Sequence, residues 1–210
     1  RGWRSKGIFF YSLKKPLDKL AAHVLGLIDE ISVRPTDTMN PEDEIRTVNP
    51  LGKIPSLVVE GTALYDSRVI MEYFDNCAGG GRIIPAVGIE RYACLTAAAK
   101  MDGIIDAALL MVYEGRFRPA EMRVERFVEW QRDKIIRGLQ SIDPAPYSGG
   151  SMPDAADIGL GCALDYLDFR KPLSWRDHAP ALADWQAGFA ASVAGYAETM
   201  PVDSRKAPSQ

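Results

Sequence analysis

Histidine and cysteine are scarce in this 210-residue chain: two histidines, His23 and His178, and three cysteines, Cys77, Cys94 and Cys162. The histidines stand too far apart in sequence for a metal site. No two cysteines have the spacing of a redox dithiol or a zinc-ligand pair. An odd count, with each cysteine in an apolar or helical pattern, reads as small buried residues of a reducing cytoplasm. Positive charge is not in excess either. Lys and Arg number 25 against 28 Asp and Glu, which lacks the concentrated basic surface that phosphate backbones demand and excludes a nucleic-acid partner. No apolar run approaches the ~20 residues of a membrane span. The basic start RGWRSKG is followed only by the short run IFFY, without a cleavage site of small residues, so no signal peptide is expected. The expectation is a cytoplasmic protein with no metal, no membrane and no nucleic acid.

What the chain does have is enough apolar sequence, 47% hydrophobic residues, to bury a sizeable core. Its length leaves one large or two small domains open. The first half alternates strand and helix signals. Ile8–Tyr11 is a short apolar run. Leu13, Leu17, Leu20, Ala21, Val24 and Leu25 recur at helical spacing and stop at Gly26. Ile31–Val33 reads as a strand, 40–49 as a short helix, and Ser56–Glu60 as a strand. A tight turn at Gly61-Thr62 leads into Ala63–Tyr65, predicting an antiparallel hairpin. Ser67–Cys77 places Val69, Ile70, Tyr73 and Phe74 on one helical face. The order β-α-β-α-β-β-α predicts a mixed four-stranded sheet covered by helices. Residues 79–88, rich in Gly and Pro, read as a linker. Residues 89–199 read as an all-helical domain, and 200–210 as a disordered tail. The boundaries expected are therefore 1–78, 79–88, 89–199 and 200–210. Trp130, Trp175 and Trp185 are expected in a core or interface, and His23 is expected to be structural.

The segment that carries chemistry is Asn49-Pro50-Leu51-Gly52-Lys53-Ile54-Pro55, followed by the hairpin and Tyr65-Asp66-Ser67. Proline at the start of a strand keeps its ring off the ladder. A cis Ile54–Pro55 bond would turn the Ile54 backbone sideways, free to pair with an extended peptide. Asp66-Ser67 falls at a helix start, where backbone N–H groups and a hydroxyl make an anion site. Asp66 itself could meet an ammonium group. Alone, NPLGKIP reads as a turn and Asp66 or Ser67 as a helix cap. Together, at this separation and in this order, they fit a ligand with a peptide stretch, a carboxylate and an amino group. Glutathione has all three.

The run NPLGKIPSLVVEGTALYDSRVIMEYFD resembles the glutathione-binding half of the glutathione transferase superfamily. The resemblance implies a thioredoxin-like domain with cis-Pro55. It implies that Ile54 pairs with the cysteinyl backbone, that Asp66 and Ser67 hold the γ-glutamyl end, and that Lys53 faces the glycyl carboxylate. A homodimer is implied too. In the helical half, Asp154-Ala-Ala-Asp157 is a capping box flanked by Pro153 and Ile158. It is similar to the superfamily's own box, which usually begins with Ser or Thr. KMDGIIDAALLMVYEGRFRP and ADIGLGCALDYLDFR resemble a bacterial subfamily.

Relatives often read YSPxSPxVRKV after the first strand; this chain reads Tyr11-Ser12-Leu13-Lys14-Lys15-Pro16, about three residues shorter. Counting back from Gly26 puts Ser12 at the position that touches the glutathione sulfur, with Tyr11 as the alternative donor. A hydroxyl at a helix start favours a thiolate. No cysteine lies there, which argues against subclasses that form mixed disulfides. Met111, Tyr113, Arg116 and Arg118 fall where the family places its electrophile pocket; core packing or a solvated surface is the alternative for each. The expected function is conjugation of the glutathione thiolate to a small hydrophobic electrophile. The alternatives are a glutathione-binding regulatory protein and a glutathione-dependent disulfide or peroxide reductase.

Overall fold

The computed structural model describes residues 9–11, 16–145 and 152–200. The first elements are β1 (Phe9–Tyr11), α1 (Pro16–Leu25), β2 (Ser32–Arg34), α2 (Ile45–Val48), β3 (Ser56–Val59), β4 (Thr62–Leu64) and α3 (Ser67–Cys77). Helices α4 (Gly88–Phe117), α5 (Glu125–Gln140), α6 (Ala155–Arg170), α7 (Ala181–Ser192) and α8 (Tyr196–Thr199) follow. Two compact units result: the described residues up to Val87 together with those from Ala194 onward, and Gly88–Val193. No helix among the described residues is long and apolar enough to cross a membrane.

The first unit is a four-stranded sheet in the order β2-β1-β3-β4. β1 runs parallel to β2 and antiparallel to β3, and β3 runs antiparallel to β4. Parallel neighbours need a crossover, and α1 supplies it. The β3–β4 turn is Glu60-Gly61, both at positive φ (49° and 79°), the conformation a two-residue hairpin needs. The turn therefore sits one residue earlier than Gly61-Thr62, and Thr62 already pairs with Val59. Phe10, Leu20, Leu57, Ile70 and Phe74 are buried between the sheet and the packed pair α1 and α3.

This unit departs from the sequence reading in two places. Residues 79–87 are no loose linker. The buried Asp75 carboxylate of α3 accepts the N–H groups of Gly81 (2.8 Å), Arg82 (2.9 Å) and Ile83 (2.8 Å). That bend drives Ile83 and Ile84 into the core. The chain also returns to this unit from Ala194, so α8 is not part of the helical domain expected over 89–199. α8 packs on α1 and buries Tyr196. A Cβ at Gly195 would lie 2.3 Å from Cγ of His23, so only glycine fits there. The expected tail lies, apart from Met200, outside the described residues.

The second unit is helical. α6 is its centre, apolar nearly all round, and packs on α4 and α7 while α4 also packs on α5. Close approach rests on small residues: a Cβ at Gly159 would meet Met101 at 3.2 Å, and one at Gly138 would meet Ile104 at 3.0 Å. The capping box stands as read: Asp154 accepts the N–H groups of Ala156 and Asp157, and Asp157 accepts that of Asp154. Trp175 and Trp185 are buried, but Trp130 is 59% exposed under the ammonium of Lys134.

Two outcomes follow from these carboxylates. Asp75→Ala strands three backbone donors at about 1–3 kcal/mol each, so denaturant unfolding should show a loss of about 3 kcal/mol or more. Burial, then repulsion by Asp154, raises the Asp157 carboxyl above its ordinary value of 3.8, against the pull of the Asp154 N–H. A raised folded pKa means the folded state holds the proton more tightly, so ionised Asp157 subtracts stability above that range. Asp157→Asn keeps an acceptor without the charge. It should melt higher than the parent at pH 7, and the gap should narrow as pH falls to 4.

Candidate functional site

The approach to β3 is fixed by one buried side chain. The Asn49 amide donates to the Lys53 carbonyl (2.9 Å) and to Ser56 Oγ (3.3 Å), while its Oδ1 accepts the Leu51 N–H (3.0 Å). Ser56 Oγ also donates to the Lys53 carbonyl (3.1 Å). Gly52 closes the turn at φ 59°, its N–H on the Asn49 carbonyl (2.8 Å). The Ile54–Pro55 peptide bond is cis. Ile54 is half-buried and Lys53 exposed. Among the described residues, no hydrogen bond is made by the Ile54 backbone.

The hairpin carries this point to a second one. Leu57 pairs with Leu64 and Val58 with Ala63. β4 ends at Leu64, and the chain turns through a cis Tyr65–Asp66 bond into α3. Asp66 is the N-cap of α3, taking the Arg68 N–H at 3.1 Å. The N–H groups of Val69 and Ile70 both close on the Asp66 carbonyl at 3.1 Å. The Ser67 N–H and hydroxyl remain at the positive end of the helix, the hydroxyl 3.5 Å from Asp66 Oδ1. The cap bond and the Ser67 hydroxyl both use Oδ1 of Asp66.

Of the candidate sulfur donors, Ser12 lies outside the described residues. Tyr11 ends β1, its backbone paired with Ser56, at the same edge. Met111, Tyr113 and Arg116 lie at the carboxyl end of α4 in the second unit. Met111 is half-buried, and Tyr113 is 39% exposed with its ring edge-on to Phe117 at 5.2 Å. The Arg116 guanidinium stands 5.7 Å from the Tyr113 ring. Arg118 is tied instead to the buried Glu114 (3.0 Å). Sequence reasoning missed Asn49 as the organiser of the loop, although an Asn ahead of a turn is the usual signal. It also missed Tyr166 and Arg170 of α6. Burial pushes the Tyr166 phenol up, opposed by the charge and hydrogen bond of Arg170, with weaker effects of Tyr113 and Arg116. Among the described residues, no group of His, Cys, Asp and Glu is placed to hold a metal ion.

Asn49→Ala removes three bonds and leaves the Leu51 N–H and Ser56 hydroxyl to find others. A stability loss of about 2–3 kcal/mol is expected, read by denaturant unfolding; a loss below about 0.5 kcal/mol would show that the loop holds its own shape.

The family model for the glutathione S-transferase N-terminal domain matches residues 19–77, and that for the C-terminal domain matches 103–186. The GST-like protein YibF of Escherichia coli (strain K12) is 35% identical over 136 residues, 63% of this chain and 67% of that one. A glutathione transferase family member from Pseudomonas fluorescens Pf-5, solved with bound glutathione, is 35% identical. It superposes with a TM-score of 0.83 over 94% of this chain and 100% of that one. A second structure of a family member from Pseudomonas fluorescens Pf-5, holding S-(propanoic acid)-glutathione, gives 36% identity and a TM-score of 0.79 over 93% and 100%. With both family domains matched and the thioredoxin-like sheet and helical unit in place, the chain belongs to the glutathione S-transferase family.

Proposed function

We propose that this protein binds glutathione at the Ile54/Asp66–Ser67 edge and transfers its thiolate to a small hydrophobic electrophile held by the helical unit. The observation that supports this reading is the cis Ile54–Pro55 bond at the entry to β3, with the hairpin leading on to the Asp66-capped start of α3. Ile54 pairs with the cysteinyl backbone. The Ser67 N–H and hydroxyl take the γ-glutamyl carboxylate, Asp66 takes the γ-glutamyl ammonium, and Lys53 takes the glycyl carboxylate. Ser12 donates a hydrogen bond to the sulfur, with Tyr11 as the second candidate. A free thiol of pKa ~8.5 is mostly protonated at neutral pH, so holding it as the thiolate is the first task. The sulfur then attacks an electrophilic carbon. The S–C bond forms, the bond to the leaving group breaks, and the leaving group departs with its electron pair. Met111, Tyr113 and Arg116 contribute to binding the electrophile. The rate gain comes from thiolate stabilisation and proximity. The S-(propanoic acid)-glutathione held by the Pseudomonas relative is a thioether of the kind such a reaction makes.

The reading extends to a cytoplasmic homodimer. Ile89 and Tyr92, one turn apart on α4, are 74% and 65% exposed, the apolar surface a partner copy would cover.

Calorimetric titration with glutathione, on the parent, Ser67→Ala and Ser12→Ala, tests this. The parent should bind. Ser67→Ala should bind at least ~10-fold more weakly, the scale of a hydrogen bond to a charged group. Ser12→Ala should still bind but show less thiolate by ultraviolet absorbance. Binding without any thiolate signal in the parent would reduce the protein to a glutathione carrier. Faster turnover of peroxides or mixed disulfides than of aryl halides would make it a reductase. No binding at all would end the proposal.

A further inference from the structure

The carboxyl ends of α4 and α6 hold two guanidiniums that the fold does not neutralise. Arg116 stands 5.7 Å from the Tyr113 ring. Arg170 stands 4.6 Å from the Phe169 ring and 5.7 Å from the Tyr166 ring, and its Nε is buried without an acceptor. Rings hold both of them, and Arg170 also donates a hydrogen bond to the Tyr166 hydroxyl. The carboxylates of these helix ends are engaged elsewhere. Glu114 is buried, pairs with Arg118 at 3.0 Å and accepts the Val124 N–H at 2.9 Å. Asp168 takes the Arg176 guanidinium and the Trp175 indole N–H. Among the described residues, neither Arg116 nor Arg170 has a carboxylate partner. α4 packs along α6, with Gly159 against Met101 and Cys94 at the Ala155 and Ala156 N–H groups, so the two helices run the same way and their carboxyl ends lie together. Beside them Tyr113 and Phe117 present an edge-to-face ring pair, 39% and 57% exposed.

Cations in the last turn of a helix favour its dipole, and this alone would account for their being basic. It does not account for an aromatic seat under each, nor for an exposed ring pair at the same place. Rings and paired cations together match a planar apolar body bearing one negative group. Arginine is the residue suited to that group, because its planar fork meets a carboxylate with two parallel bonds.

We propose that this locus binds aromatic carboxylic acids, Arg116 and Arg170 taking the carboxylate and Tyr113 and Phe117 the arene. The assignment rests on the conjugation reading in one respect only: there the acid would be the electrophile's class. Binding by itself does not need it.

Calorimetry on the full chain with 2-naphthoate and its uncharged isostere 2-naphthamide, each with and without S-methylglutathione, decides the matter. The parent should bind the acid at least ~10-fold more tightly than the amide, the scale of a charge-assisted bond. Arg116→Gln and Arg170→Gln should each lose most of that preference while the amide is held as before, and Arg170→Lys should recover part of it. Arg132→Gln, an exposed arginine of α5, should change neither. Equal binding of acid and amide by the parent overturns the proposal. So does a loss in Arg116→Gln that falls equally on both, which would mark these arginines as structural. Should Arg170→Gln unfold, the exposed Arg116→Gln alone still decides. A parent that discriminates the acid yet binds no glutathione sinks the conjugation reading and supports this one. A parent that binds glutathione without discriminating does the reverse.

Discussion

The buried amide of Asn49 determines how the chain enters β3, and the ligand-facing backbone depends on it. Only an amide can meet the demand at this position. It must donate toward the Lys53 carbonyl and the Ser56 hydroxyl and accept from the Leu51 N–H; a carboxylate could not donate and an alcohol could not reach all of them. Pro55 brings no N–H of its own, so the stretch is held on one side by the Lys53 carbonyl and on the other by the Ser56 hydroxyl. Ile54, between those anchors, is left with an uncommitted peptide unit. Fixing its neighbours gives Ile54 the set position that the proposed glutathione contact needs.

Carboxylates close both units, and their surroundings decide what each contributes. Burial works against the charge of both Asp157 and Asp168. At Asp157 it prevails, reinforced by Asp154, because a single backbone N–H opposes it, and the carboxyl is held above its ordinary range. At Asp168 burial is again the largest effect, yet Arg176, Trp175 and Gln186 donate to it and together outweigh burial, so its carboxyl is held below that range. The linkage signs are opposite. Asp168 stabilises the fold above the ordinary carboxylate range, and that contribution fades as pH falls through its lowered value; Asp157 is least costly when protonated. Asp157 is the deeper and faces a second carboxylate, whereas Asp168 faces three donors, one of them a cation.

The first unit was legible wherever local chemistry and tertiary structure agree. The run Ser56–Val59 and the glycine after it announce a hairpin, to within one residue of its turn, and the start of α3 at Ser67 is written in the Asp-Ser pair before an apolar helical face. The capping box of α6 is readable for the same reason: its bonds span three residues. Other features come from contacts that sequence spacing does not reveal. Residues 79–87 have the composition of a linker, and their order comes from Asp75, whose carboxylate lies on the preceding helix. The return of α8 to α1 hangs on the absence of a side chain at Gly195, meaningful only once His23 is known to face it. Ile54, Asp66 and Ser67 flank the two ends of the β3–β4 hairpin. The pairing of Tyr166 and Arg170 with the end of α4 depends on which faces of two helices meet, and periodicity marks a face without naming its partner.

Helical geometry also explains why Arg116 is left over at the end of α4. Glu114 and Arg118 are four residues apart and share a face, so the pair forms within the helix. Residues two apart do not face each other, so Arg116 cannot reach the carboxylate that Arg118 holds. Arg123 then binds the Gly115 carbonyl at 3.0 Å and lies 3.4 Å from that of Arg118, occupying acceptors that a C-terminal arginine would otherwise use. The Gly115 carbonyl of the last turn is thereby taken by Arg123, not by Arg116. A charge that the fold neither pairs nor needs for capping, yet seats on an aromatic ring, is a charge available to a ligand.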